Sequence, residues 1–175
     1  FAGTISQMFN FTPLLNAIDL AKKRNIAVKV ILCGDGSSLK YWKEKFKPHS
    51  NVYFTGRIDS TTVFSLLRLS DLLLAPYEDL SNFRDHLPNK FMEYCAAGKP
   101  LASSLQGLAS GILKKHEFGY TYSNSIELFE ILEKYSNSPS LLSEHANAAQ
   151  NVYLKQFHPE TILANLERNL SSLIS

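Results

Sequence analysis

The chain changes rhythm repeatedly. Short runs of Val, Ile and Leu, bounded by Gly, Asn or Pro, alternate with longer stretches whose apolar residues recur every three or four positions. The first rhythm belongs to buried strands and the second to amphipathic helices. "FAGTI" predicts a strand, "FTPLLNAIDLAKKRN" a helix with its stripe at Leu14, Leu15, Ile18, Leu20 and Ala21, and "IAVKVILCG" a second strand. There follow "GDGSSLKYWKEKF" as loop and helix, "NVYFTGRI" as strand, "STTVFSLLRLS" as helix, "DLLLAPY" as strand, "DHLPNKFMEYCAAG" as loop and helix, and "PLASS" as strand. "GLASG" and "ILKKHEFG" give one more turn or helix before "YTYSN". The tail predicts helices in "SIELFEILEKYSN", "PSLLSEHANAAQNVYLKQF" and "HPETILANLERNLSSLI".

Apolar strands each followed by a helix imply a parallel sheet covered on both faces. The right-handed crossover rule then makes it a doubly wound α/β domain. We expect a single domain over residues 1–175, with helices over 139–175 laid on it or on a neighbour. Ligands of such folds collect at the carboxyl ends of the strands, so the loops to inspect are Gly3 to Phe9, Gly34 to Ser38, Thr55 to Asp59, Tyr77 to Lys90 and Ser103 to Gly111.

Composition narrows the classes. With 175 residues and 45% hydrophobic content the chain can bury one sizeable core. Its 18 basic and 16 acidic residues are interspersed and leave a net charge of +2, so there is no electrostatic footprint for a nucleic acid. Cys33 and Cys95 show no C-x-x-C or Cys/His metal spacing and sit in apolar contexts, the pattern of buried reduced thiols in a cytoplasmic protein. No apolar run approaches the roughly 20 residues that span a bilayer. The first residues lack a basic stretch ahead of a hydrophobic one, and read as a strand already under way; the expectation is a fragment whose missing part lies upstream.

Three loops carry candidate chemistry. In "CGDGSS" the glycine Gly34 permits a close approach of backbone to a ligand or to another segment; the same loop reads equally as a simple turn with Ser37 or Ser38 capping the next helix. It is neither a dinucleotide fingerprint nor a P-loop. In "FTGRID", Gly56 can expose peptide groups to a flat base and Arg57 can meet an anion, or Arg57 is an exposed strand end beside an Asp or Ser cap. The third stretch is more specific. Pro88 suits a helix start, so a helix is expected from about Pro88 to Ala97, with Gly98 as the stop and Pro100 beyond it.

The N–H groups of Asn89 and Lys90 then face out of the helix start, where the macrodipole favours an anion such as a diphosphate. Glu93, one turn on, can accept from the two hydroxyls of a ribose diol. Its rival role is an i, i+3 ion pair with Lys90 on a solvated face. Because Phe91, Met92, Tyr94, Cys95, Ala96 and Ala97 make this helix apolar nearly all round, Glu93 is expected to be half buried and in need of a partner. Asp85 precedes the helix and can converge on the same pocket from the loop. His86 is a sugar contact or a plain exposed residue. His49, His116, His145 and His158 show no ligand spacing, and no metal is expected.

These residues are familiar in combination. D-x7-E from Asp85 to Glu93, and "PNKFMEYCAAGKP" against the pattern P-x-K-x-x-E-Y-x-A-x-G-x-P, resemble the C-terminal, donor-binding domain of GT-B glycosyltransferases of the group 1, family four type. "FAG", "VILCGDG", "NVYFTGRI" and "SDLLLAPY" fit the Rossmann-like strands of that half. The resemblance implies that Glu93 holds the ribose of a nucleotide-diphospho-sugar, that Asn89 and Lys90 meet the diphosphate, and that Asp85 faces the donor sugar. Gly3 and Thr4 would lie near the phosphates, and Thr55, Gly56 and Arg57 would flank the base.

It also implies an acceptor-binding N-terminal domain, absent here, which would take a saccharide or lipid-linked acceptor and provide any peripheral membrane association at the inner face. The isolated chain is then expected to bind nucleotide without transferring sugar. Surface-polysaccharide synthesis is the usual setting of this motif variant. Two departures stand out: the first acidic residue is Asp rather than Glu and is followed by "HLP", and the Arg and Lys that many members place after the first strand are missing from "TISQMFNF". Lys90 or Arg84 would have to supply that charge. The alternative is a non-catalytic nucleotide-binding or scaffold relative of the same fold. An epimerase would need an acidic and histidine constellation that His86 alone does not supply.

Overall fold

The computed structural model describes residues 1–78 and 83–174. Helix α1 (Thr12–Lys23) starts where the Asn10 side chain accepts the Thr12 N–H at 2.9 Å, and buries Leu14, Ala17, Ile18 and Ala21, a three-to-four spacing that lays one stripe against α6 (Ser125–Asn137). Strands β1 (Val30–Cys33) and β2 (Val52–Gly56) pair in parallel, Val30 opposite Val52, with a slip that sets Cys33 opposite Gly56. Helix α2 (Leu39–Phe46) between them buries Trp42 and Phe46, one turn apart. Ser38 stands at its N-cap position, but its hydroxyl makes no capping bond, so the expected serine cap is absent there. Asp59 does cap α3 (Ser60–Leu69), accepting the Thr62 N–H at 2.9 Å.

Strands β3 (Leu73–Ala75), β4 (Leu101–Ser103) and β5 (Gly119–Thr121) form a second parallel set in that order, with β3 and β4 buried throughout and Tyr120 and Thr121 of β5 half-buried. Helices α4 (Asn89–Ala96) and α5 (Leu108–His116) connect them, and both pack on α7 (Pro139–Val152). A π-helical turn (Tyr153–Phe157) leads from α7 into α8 (Pro159–Ile174). The architecture is thus the expected α/β one, parallel strands flanked by helices.

The predicted first strand is shorter than its sequence implies. Ala2 pairs in parallel with Cys33, the Cys33 N–H donates to Phe1 O at 2.8 Å, and the Gly3 N–H donates to Cys33 O at 2.9 Å. On its other side the Ala2 N–H donates to the Tyr94 hydroxyl at 3.2 Å, which donates in turn to Leu74 O at 3.4 Å. One phenol therefore links the two strand sets. Cys33 and Cys95 are buried free thiols, and burial pushes the Cys95 thiol up to about 12. On α8, Ile162, Leu163, Leu166 and Leu170 remain exposed. Among the described residues no helix is long and apolar enough to cross a membrane.

Candidate functional site

The site grows from the start of α4. Pro88 takes the extended N-cap position rather than the first helical one, and its carbonyl accepts the Phe91 N–H at 2.9 Å. The amides of Asn89 and Lys90 precede that first intrahelical bond and have no carbonyl behind them in the helix. The far end closes as the sequence predicts, with Ala97 at the C-cap and Gly98 at φ 65°. Helical geometry puts Phe91, Tyr94 and Cys95 on one buried face.

Glu93 lies on the other face and is exposed, which corrects the expectation of a half-buried carboxylate. Counting apolar neighbours in sequence missed that 100° per residue turns position 93 away from the side that 91, 94 and 95 bury. The rival ion pair does not form either. Lys90 instead folds inward: its Nζ donates to Ala2 O and lies 4.8 Å from the ring centroid of Phe1 and 5.6 Å from that of Phe9. Burial lowers the Lys90 pKa, and Glu93, near enough to act electrostatically, pulls it partly back. Glu93 also acts on Tyr77, whose phenol is pushed up to about 12, chiefly by burial and then by that carboxylate.

Gly3 makes the room for the lysine, because a Cβ there would overlap the ammonium. Gly34 is more tightly held. Its φ is 130°, and a Cβ would run into the Gly3 carbonyl. The close approach that "CGDGSS" permits is thus to another segment of the chain: the Ile5 N–H donates to Asp35 O at 2.9 Å and the Ser38 N–H to Ile5 O at 3.0 Å. The Gly34 N–H donates to Gly56 O at 2.9 Å, an oxygen that also accepts from the Thr55 hydroxyl at 2.8 Å. Around Gly56 the space is open to 4 Å where a Cβ would stand. Gly34, Thr55 and Gly56 are thus linked by hydrogen bonds, Gly34 abuts Gly3 and Gly3 abuts Lys90, while Thr4, Arg57, Asn89 and Glu93 are exposed.

Asp85 is exposed. Its loop is fixed to the start of α5 by the Leu108 N–H, which donates to Arg84 O at 2.8 Å. That approach requires Gly107, at φ 72°, because a Cβ there would strike the Arg84 backbone. Residues 79–82, within the loop expected to line the site, lie outside the described residues. The sequence places Gly107 in a turn or helix but does not show its contact with the Arg84 backbone. A glycine directly before a run of helix formers was the available signal. Nor does the sequence show the part of the Tyr94 hydroxyl, which no local pattern reveals.

A family model described as "Glycosyl transferases group 1" matches residues 1–154. Among solved structures, Anabaena HepE in complex with UDP is 21% identical over 98% of this chain and 47% of its own, with a TM-score of 0.77. WaaG, a glycosyltransferase involved in lipopolysaccharide biosynthesis, is 18% identical over 89% of this chain and 42% of its own, TM-score 0.69. The C-terminal domain of LpcC, a group 1 family protein from Francisella tularensis, is 17% identical over 89% of this chain and 83% of its own, TM-score 0.72. At these identities the likeness is one of fold. The chain spans less than half the length of HepE and WaaG. No curated protein sequence matches it.

Proposed function

The chain belongs to the group 1 glycosyl transferases, and on that premise we propose that it is the donor-binding half of an enzyme that moves a sugar from a nucleotide-diphospho-sugar to an acceptor. The observation that carries this reading is an exposed carboxylate, Glu93, one turn from the start of α4, whose first amides have no carbonyl behind them in the helix. Glu93 accepts from the ribose hydroxyls. The amides of Asn89 and Lys90, with the dipole of α4, receive the diphosphate. Gly3, Thr4 and Gly34 form the wall along the phosphates, Thr55, Gly56 and Arg57 flank the base, and Asp85 faces the donor sugar.

In the transfer the bond between the anomeric carbon and the diphosphate oxygen breaks, and its electron pair leaves with the diphosphate. Preorganised amides and a nearby cation favour that developing charge without reorganising at the moment of reaction. Lys90 acts there from below, through its field, since its ammonium is bonded to Ala2 O. The acceptor hydroxyl comes from a saccharide or lipid-linked molecule on a second, N-terminal domain of the whole enzyme. HepE has been solved with UDP and with UDP-glucose, and WaaG works in lipopolysaccharide biosynthesis. The HepE complexes support UDP as the first nucleotide to try, and WaaG supports surface-polysaccharide synthesis as the setting.

The test is calorimetric titration of this chain with UDP, GDP and ADP, repeated on Glu93→Ala. One nucleotide should bind and should be lost or weakened in the variant. Binding of none of them at millimolar concentration to a folded chain refutes the donor-half reading and leaves the scaffold relative in its place.

A further inference from the structure

Four tyrosines are buried, Tyr77, Tyr94, Tyr122 and Tyr135, and their hydroxyls have different surroundings. That of Tyr94 is held between Ala2 and Leu74, and that of Tyr135 lies 2.8 Å from His145 Nδ1. That of Tyr122 is sealed from solvent without a hydrogen bond to any described residue. The Tyr77 hydroxyl also makes no hydrogen bond to a described residue, but unlike that of Tyr122 it is not sealed from solvent. A buried ring here carries an available polar tip.

Tyr77 stands two residues past β3, at the carboxyl end of the strand, where ligands of parallel sheets gather. Its ring centroid lies 4.8 Å from that of Phe9 and 5.4 Å from that of Phe83, and its carbonyl accepts from the Ser104 hydroxyl at 2.6 Å. The backbone of Phe9 bridges to it in antiparallel fashion. The phenol is therefore held before any ligand arrives, so little side-chain freedom is lost on binding.

The Tyr94 hydroxyl, bonded to Leu74 O, fastens α4 to the same strand and sets the first turns of that helix beside the end of β3. Glu93 belongs to those turns. Burial, and then the charge of Glu93, disfavour the Tyr77 phenolate, so the hydroxyl keeps its proton at neutral pH and remains a donor. A carboxylate only accepts, whereas a phenol donates. Together they suit the hydroxyls of a sugar ring, whose hydrogens need an acceptor and whose oxygens can take a donor.

We propose that the Tyr77 hydroxyl donates to a ribose oxygen of the nucleotide whose diol Glu93 accepts, and that the pair makes the site selective for an intact diol. The assignment rests on the donor-half reading of the chain and adds a residue to it. A site built around a hydroxyl rejects the analogue that lacks it, because its own polar groups are then left unpaired.

The experiment titrates the chain and Tyr77→Phe with UDP, GDP and ADP, and then with the 2′-deoxy and 3′-deoxy forms of the one that binds. Tyr77→Phe keeps the ring and its packing and removes only the hydroxyl, so the urea midpoint should not move. Affinity for the ribonucleotide should fall about three- to tenfold. For one of the two deoxy forms the substitution should make no difference, since the oxygen that receives the bond is gone. Unchanged ribonucleotide affinity in Tyr77→Phe, while the unsubstituted chain binds, overturns the Tyr77 assignment and leaves the donor-half reading standing. An equal loss for the ribonucleotide and both deoxy forms overturns it too, because the hydroxyl then acts away from the diol. Binding of no nucleotide by the folded, unsubstituted chain overturns the donor-half reading and the assignment with it.

Discussion

Tyr94 and Glu93 are adjacent in sequence and have opposite fates. Tyr94 is fully buried, its hydroxyl spent between Ala2 and Leu74; Glu93 is exposed. Lys90, from the same motif, sides with the buried group: its charge points at the backbone of the first segment and not at Glu93. The motif "PNKFMEYCAAGKP" therefore presents two faces, and neighbouring positions divide them. One face of α4 fastens the strands together and the other is exposed. Substitutions on the two faces should fail in different ways, stability on one and affinity on the other.

The largest effect is expected where backbone meets backbone. Gly34→Ala places a Cβ against the Gly3 carbonyl at a φ that side chains rarely adopt, and should cost about 3 kcal/mol or more of stability, read as a fall in the urea midpoint. Gly3→Ala should cost less, because the group it meets is the end of a flexible lysine. If the two cost the same, the packing of these segments is not as described.

Tyr94→Phe comes next. It removes the hydroxyl that serves a buried N–H and a buried carbonyl, at a cost of about 1–3 kcal/mol, while the folded fraction keeps its nucleotide affinity. Loss of affinity without loss of stability would place Tyr94 on the ligand face. Glu93→Ala should do the reverse. Affinity for the nucleotide that binds should fall about tenfold or more, corresponding to a lost charge-assisted bond of about 1.5–3 kcal/mol. Stability should stay within about 0.5 kcal/mol, as for an exposed side chain.

The smallest effect is a pH dependence. Burial lowers the Lys90 pKa below its unfolded value, so between the two values the unfolded chain binds more protons and stability rises with pH. Measured against Lys90→Met, the unsubstituted chain should gain stability as pH rises from neutrality, through the folded value of Lys90, to about 10.4. Above that the Tyr77 phenol, held near 12 in the fold, works the other way in both proteins, since the unfolded chain ionises first. Parallel stability curves for the two proteins would mean that the ammonium is not desolvated.

Most of the fold was legible because periodicity is local. The predicted helix "SIELFEILEKYSN" is α6 to the residue, and β1 and β2 fall inside their predicted runs. The motif also placed α4 within one residue at each end, from Pro88 and Gly98 alone. Burial was less legible. Glu93 was expected to be half buried because its neighbours are apolar, but sequence proximity does not say which way a helix faces its sheet. The first strand was overestimated for a related reason: "FAGTI" has a strand's composition, yet only Ala2 pairs before Gly3, Gly34 and Gly36 let the chain cross the adjoining loop.

By itself the sequence determined the order of elements, the helix ends, and the set of residues at the carboxyl ends of the strands, since each depends on periodicity, capping or φ preference over a few residues. Only the tertiary structure decided that Lys90 bonds the first segment instead of Glu93, that Tyr94 bridges two strand sets, and that the Asp85 loop is held at Gly107. These contacts join residues far apart in the chain. They depend on where distant backbone lies after folding, which no local pattern encodes.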